Sequence, residues 1–245
     1  MKPAPFAYHR PRTREEVDGL LAEHGEDAKL LAGGQSLVPI MSMRLATPAH
    51  VVDINFLADE PAEPQRDGDA LVFGPLVRQR AAERSPLVAE HLPVLRQALE
   101  YVAHPAIRSR GTVVGSIAHA DPAAELPAVM VAAGGDARVR SASGRRTIAA
   151  ADLFAGPLQT TLEPGEWIEE VRLPVQGDRP SAVVEFARRR GDYALCGVVA
   201  LDGEVTYIGM GPAPGVVAPE DDIHATARYR RWLAERLRRR ALMRL

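Results

Sequence analysis

"KLLAGGQSLVP", from Lys29 to Pro39, is a short apolar run that meets two glycines, then Gln35 and Ser36, then a second apolar run closed by a proline. Adjacent glycines let a backbone turn where other residues cannot, and they bring N–H groups close to an anion. Taken alone, the stretch is either a tight turn or the floor of a phosphate site. Upstream, "TREEVDGLLAEHG" places Thr13 as an N-cap, acidic residues in the first turn, apolar Val17, Leu20 and Leu21 behind them, and Gly25 as terminator. That pattern predicts a helix. "AKLLAGG" is then a strand running into the glycine turn, and "HVVDINFL" a second strand around Val51 and Val52. The opening is a βαβ-like unit with the glycine loop near its first strand end.

Further along, "ADEPAEPQRDGD" reads as a surface connection before the strand "ALVFGPLV", with a subdomain boundary near Asp59. "SPLVAEHLPVLRQALEYV" carries a helical apolar pattern that Pro93 breaks in two. Gly111, Thr112, Gly115 and Ser116 then supply a second small-residue loop, and a helix is predicted to begin near Asp121 in "DPAAELPAVMVAAGG". "ARVRSASGRRTI" reads as a hairpin turning at Ser143-Gly144, and "EWIEEVRLP" as another strand. After a linker at "VQGDRPS", the stretch from Ala182 to Gly211 suggests an antiparallel sheet. The last segment is a helix with Tyr229, Leu233, Leu237 and Ala241 on one line.

Composition narrows the function classes. A chain of 245 residues with 46% hydrophobic and 25% charged residues has the make-up of a globular protein with a substantial core. A net charge of -2 gives no ground for general nucleic-acid binding. The arginines of the last helix, from Arg228 to Arg244, lack aromatic interleaving and read as a solvated face. Cys196 is the single cysteine, so this chain alone builds neither a disulfide framework nor a four-cysteine cluster, and a reducing cytoplasmic setting is expected. No apolar run approaches a membrane span.

Other chemical signals are weak. "GMGPAPG" at Gly209 to Gly215 resembles a dinucleotide fingerprint only superficially, because the spacing is wrong and Pro212 and Pro214 disrupt a helix start. The seven histidines, His104 and His119 among them, show no metal-ligand spacing, and packing or local hydrogen bonding is the ordinary reading for each. Ser36 and Ser116 lack the strand-turn-helix elbow of a hydrolase nucleophile. What remains is a pair of glycine/serine loops in separate subdomains with an acidic residue close after the second, which favours a phosphate-bearing cofactor.

"LLAGGQSLVPIMSMRLATPAHVVDIN" and "IRSRGTVVGSIAHADPAAELPAVMVAAGG" resemble the FAD-binding medium subunits of molybdenum hydroxylases, the group that includes carbon monoxide dehydrogenase and xanthine dehydrogenase. "EFARRRGDYALCGVVA" and "DDIHATARYRRWLAERLRRRAL" resemble the C-terminal domain of the same subunits. The resemblance implies an α+β chain: a two-subdomain FAD-binding fold of the molybdenum hydroxylase flavoprotein type over residues 1–58 and 59–176, then a small, shortened α+β C-terminal domain over 177–245. It implies FAD as cofactor, and as partners an iron–sulfur small subunit and a molybdenum-cofactor large subunit. Ala32, Gly33, Gly34, Gln35 and Ser36 occupy the family's first FAD loop. Thr112, Gly115 and Ser116 occupy its second, and Glu125 falls at the acidic position that hydrogen-bonds the cofactor. Ile168 falls where an apolar residue packs near the cofactor, and Tyr193 where the C-terminal domain approaches the flavin ring.

Two departures stand out. Val114 replaces the first of two adjacent glycines in the second loop, and a β-branched side chain is penalised there if the position needs positive φ. "GPAPGVVAPEDDIHATARYRRW" joins the last sheet to the final helix directly, where the family carries a longer segment. The alternative readings are a stand-alone FAD-dependent oxidoreductase acting on a small organic substrate, or a relative that has lost flavin chemistry.

Overall fold

The computed structural model describes residues 2–245. The chain opens with a three-stranded sheet of β1 (Ala7–His9), β2 (Ala28–Leu31) and β3 (His50–Asp53), ordered β1-β3-β2 and parallel throughout. Helix α1 (Arg14–His24) lies between β1 and β2, and the short α2 (Leu37–Ser42) between β2 and β3. The predicted signals hold for α1: Thr13 Oγ1 accepts the Glu16 N–H at 3.2 Å, and Gly25 ends the helix at φ +52°. Val17 and Leu21 pack with Ala28, Val52 and Trp167 in a core beneath the helix. Strand β1 is an addition to the sequence reading; three residues are too few for an alternating pattern to register.

A five-stranded antiparallel sheet follows, ordered β4-β5-β10-β6-β7. Its strands are β4 (Gln65–Asp67), β5 (Ala70–Phe73), β6 (Asp136–Ser141), β7 (Gly144–Ala149) and β10 (Trp167–Pro174). The stretch expected to be a plain surface connection ends in β4, because Gly68 at φ +61° turns "QRD" back onto β5. The β6–β7 hairpin forms as predicted but turns one residue earlier, at Ala142 and Ser143, with Ser141 opposite Gly144. Helices α3 (Gln79–Arg84), α4 (Pro86–His91), α5 (Pro93–Leu99), α6 (Pro105–Arg108), α7 (Val113–His119) and α8 (Glu125–Ala133) lie between β5 and β6. Pro93 separates α4 from α5, as a residue without an N–H must. The predicted helix start at Asp121 moves to Glu125: Asp121 Oδ1 accepts the Ala123 N–H at 2.9 Å and closes a turn of its own. The short α9 (Ala150–Leu153) and the ribbon of β8 (Phe154–Gly156) and β9 (Gln159–Thr160) lead into β10.

The last unit is an antiparallel sheet of β11 (Ser181–Ala187), β12 (Ala194–Leu201) and β13 (Glu204–Ile208), with α10 (Ala227–Leu242) against it. All eight residues of β12 are buried, because both faces of the sheet are covered. Val183, Val199 and Ile208 join the main core, while Val184, Cys196 and Val198 meet Leu233, Leu237 and Ala241 of α10. Burial pushes the Cys196 thiol up to about 12, which leaves it an inert core group. Tyr229, expected on the packed line, is exposed instead and stacks on Trp232 with centroids 5.7 Å apart. Arg230, expected on a solvated face, is buried and donates to Asp222 Oδ2 and to the Leu195 carbonyl, each at 2.6 Å. Between the Ile208 end of β13 and α10, residues 209–226 carry no helix or strand.

Polar clamps hold the units together. Arg140 of β6 donates to Asp18 of α1, which also accepts the Trp167 indole N–H at 2.8 Å. These groups are buried, and a buried pair of this kind costs about 3–5 kcal/mol when one partner is removed. Gln97 of α5 grips β11 through the Val183 N–H at 3.0 Å, and the Gly209 N–H donates to the Pro122 carbonyl at 2.9 Å.

Candidate functional site

The first glycine loop leaves the carboxyl end of β2. Gly34 takes φ +71°, and a Cβ there would also press on Leu31 and Val38. Gly33 is constrained by contact rather than conformation: a Cβ would lie 2.5 Å from the Arg110 carbonyl oxygen and 2.7 Å from the Gly111 Cα. Backbone cannot yield as a flexible side chain does, so only glycine lets residues 33 and 110–111 touch. The two loops, far apart in sequence, therefore meet face to face. Gln35 Nε2 folds back onto the Gly33 carbonyl at 3.0 Å. Among the described residues, the N–H groups of Gly33, Gly34, Gln35 and Ser36 donate to no protein acceptor. Unused N–H groups in a glycine turn are what an anion site draws on.

Asn55 and Arg78 lock this junction. Asn55, held in an Asx turn by the Asp53 carboxylate, donates from Nδ2 to the Ala32 carbonyl at 2.7 Å. Arg78 donates from Nη2 to Asn55 Oδ1 at 2.5 Å and from Nη1 to the Arg110 carbonyl at 2.6 Å. The guanidinium is half-buried and has no carboxylate in ion-pair range among the described residues. Burial and the neighbouring Arg110 hold its pKa below the usual arginine range. A positive charge between two loops with no direct carboxylate partner, one loop offering unused N–H groups, fits a diphosphate. Sequence reasoning missed both residues; the only local signal was the Asp-x-Asn turn after β3.

The second loop is less of a loop than its residues suggested. Thr112 is the N-cap of α7, its Oγ1 accepting the Gly115 N–H at 2.9 Å, so Gly115 and Ser116 lie in the helix rather than before it. A Cβ on Gly115 would stand 2.6 Å from that Thr112 oxygen. Val114 sits in the first turn of the same helix, 5% exposed and packed in the main core, and it is not among the residues with positive φ. The strain expected of a β-branched side chain there is absent.

The remaining predicted residues are spread more widely. Glu125 is 7% exposed at the start of α8 and faces Glu185 of β11, whose buried Oε2 has no hydrogen-bond partner. Burial holds both carboxyls well above the usual range, reinforced at Glu125 by Asp121 and at Glu185 by the charge of Glu125. Ile168 is 3% exposed in β10, inside the main core. Tyr193, 64% exposed, lines a cleft of about 1120 Å³ whose walls include Asp121, Pro122, Gly209, Asp222 and Arg230. The turn bearing Tyr193 is seated by Gly191, at φ +83°, where a Cβ would meet the His104 ring at 2.5 Å.

Residues 4–176 match the family described as the FAD-binding domain in molybdopterin dehydrogenase. The nicotine 6-hydroxylase medium subunit of Paenarthrobacter nicotinovorans is 38% identical over 284 aligned positions, covering 99% of this chain and 98% of the relative. That alignment is longer than the chain's own 245 residues, so the relative carries positions with no counterpart here. The reconstituted CO dehydrogenase from Oligotropha carboxidovorans matches with a TM-score of 0.94 and 32% identity, over 100% of this chain and 98% of that one. Quinoline 2-oxidoreductase from Pseudomonas putida 86 matches with a TM-score of 0.92 and 30% identity, over 99% and 97%. Glycine loops in contact around an unpaired arginine thus coincide with likeness to dehydrogenase subunits along the full length. The chain belongs to the FAD-binding medium subunits of the molybdenum hydroxylase family, and is an oxidoreductase component with FAD as its cofactor.

Proposed function

We propose that this chain is the electron-transfer subunit of a heteromeric molybdenum hydroxylase. In this reading it stands between the iron–sulfur clusters of a small subunit, reduced in turn by a molybdenum-cofactor large subunit, and an external acceptor. The observation that carries it is the meeting of Gly33 with the Arg110–Gly111 backbone beside Arg78. The FAD-binding residues are those of the two loops, Ala32 to Ser36 and Thr112, Gly115 and Ser116. The Arg78 guanidinium and the free N–H groups of Gly33 to Ser36 would hold the diphosphate. Glu125 would accept hydrogen bonds from the cofactor, Ile168 would pack the floor, and Tyr193 would cover the flavin from the C-terminal side. When bound, FAD supplies the redox chemistry, and the protein's task is to hold and orient it.

The division into units 1–58, 59–176 and 177–245 belongs to the same reading, as does a cytoplasmic setting. No described helix is long and apolar enough to cross a membrane. Affinity purification of the tagged chain from its own host tests the whole. The expected result is a yellow complex that releases FAD, identified by mass, and contains iron and molybdenum with two further subunits. A colourless chain that takes up no FAD on reconstitution overturns the cofactor assignment. A yellow chain that purifies alone and turns over an organic substrate without added iron–sulfur protein overturns the electron-transfer role.

A further inference from the structure

Three histidines that no sequence spacing connects come together on the first sheet. His9 of β1 and His50 of β3 lie on the same face, because Ala7 pairs with His50 and side chains alternate along a strand. That face is the one α1 covers, since Val52, two residues beyond His50, packs beneath Val17 and Leu21. His24 is the last residue of α1, so the helix delivers its ring onto the other two. The His24 and His50 rings stack with centroids 3.6 Å apart, and His9 Nε2 lies 2.9 Å from His50 Nδ1. One ring nitrogen from each lies within 4.8 Å of the other two. All three side chains are only partly exposed.

We propose that His9, His24 and His50 form a binding site for a divalent late transition metal of the zinc class, which pins the end of α1 to the sheet. Imidazole nitrogens are preferred ligands for such ions, and three of them leave a fourth tetrahedral position for water. Two nitrogens bound to one tetrahedral zinc stand about 3.3–3.4 Å apart. The His9–His50 contact therefore needs to open by only a few tenths of an ångström. His24 reaches the same point by turning about χ2, a soft torsion for an imidazole. The Glu23 carboxylate, 3.9 Å from His24 Nε2, adds negative charge at the rim.

The position argues for a structural ion rather than a redox one. His50 pairs with Ala28 at the start of β2, while the glycine loop leaves β2 after Leu31, about 10 Å further along the strand. Loading the site should therefore leave flavin binding unchanged. The test is titration of the full chain, stripped with chelator, using Zn2+ followed by calorimetry and Co2+ followed by visible absorption. One saturable equivalent per chain is expected, with a tetrahedral Co2+ spectrum that Zn2+ quenches and Mg2+ does not. His24→Ala and His50→Ala should each weaken Zn2+ binding at least tenfold and abolish the rise in Tm that Zn2+ gives the parent. His91→Ala should change neither. If the parent shows no saturable equivalent, the cluster is a packed histidine stack and the proposal fails. Unchanged affinity in both His24→Ala and His50→Ala, with flavin content and circular dichroism intact, overturns it equally.

Discussion

Arg78 holds Asn55 at 2.5 Å, and through that one contact the two glycine loops share a single support. Asn55 carries the Ala32 carbonyl and Arg78 the Arg110 carbonyl, so neither loop can shift without the other feeling it. Replacing the guanidinium removes the unpaired positive charge and strands both acceptors. Hydrogen bonds to a charged group are each worth about 1.5–3 kcal/mol, so Arg78→Met should weaken FAD binding ~10–100-fold. Flavin-fluorescence titration of the stripped protein reads this directly, and an unchanged Kd would remove Arg78 from the cofactor site.

Gly33→Ala places a methyl 2.5 Å from the Arg110 carbonyl, so the loops must part. The flavin-to-protein ratio should fall well below one, with a loss of about 1–3 kcal/mol in stability from overpacking. Gly19→Ala is the matched control. Gly19 is exposed in the middle of α1 with nothing within 4 Å of a Cβ, so the change should stabilise by about 0.5–1 kcal/mol and leave flavin content alone. Thermal melts of the two variants should move in opposite directions.

Val114→Gly installs the glycine that the resemblance led one to expect at this position, yet it should not tighten FAD binding. Val114 is a core residue in the first turn of α7, and removing its side chain costs about 2–4 kcal/mol through lost burial and poor helix propensity. Equal FAD affinity with a lower denaturation midpoint is the expected pair of results. A clear gain in affinity would show that the valine side chain obstructs the cofactor.

Glu125 and Glu185 give a pH signature of known sign. Their carboxyls are held above the ordinary 4.5, so the folded chain keeps protons that the unfolded chain has released. This contribution is complete below the unfolded value and is lost as pH rises through the raised native values. Glu185→Gln removes one ionisable partner of the buried pair. It should flatten the fall in Tm between about pH 4.5 and about pH 9. A variant that follows the parent curve across that range would rule the pair out as its source.

Local chemistry was legible in the sequence, and convergence was not. Thr13 and Gly25 announce α1, Pro93 announces the break between α4 and α5, and the glycine pair at 33–34 announces a loop, because each acts on its own few residues. Asp121 misled for the same reason: it had the character of a helix start, but its side chain closes a separate turn before α8. Thr112 to Ser116 show the limit more sharply, since the threonine that opens a loop in one reading caps a helix in the other. Asn55, Arg78 and the His9, His24 and His50 cluster were out of reach, because their meaning depends on which strands pair and which face α1 covers. The resemblance named the loop residues but not the arginine that binds the loops together.

Residues 209–226 join β13 to α10 without forming an element, and α10 docks on the sheet through its own apolar face. The join is tied at its two ends, by the Gly209 N–H on the Pro122 carbonyl and by Asp222 on Arg230, and between those ties a longer connection adds only about 0.6 kcal/mol per doubling. Yet Gly209, Gly211, Pro212 and residues 218–222 form one wall of the cleft at Tyr193. Length in this stretch is thus a dial that leaves the scaffold alone and changes the doorway. Residues spliced in or out between the two ties would reshape that wall of the cleft at Tyr193 while every strand keeps its partner.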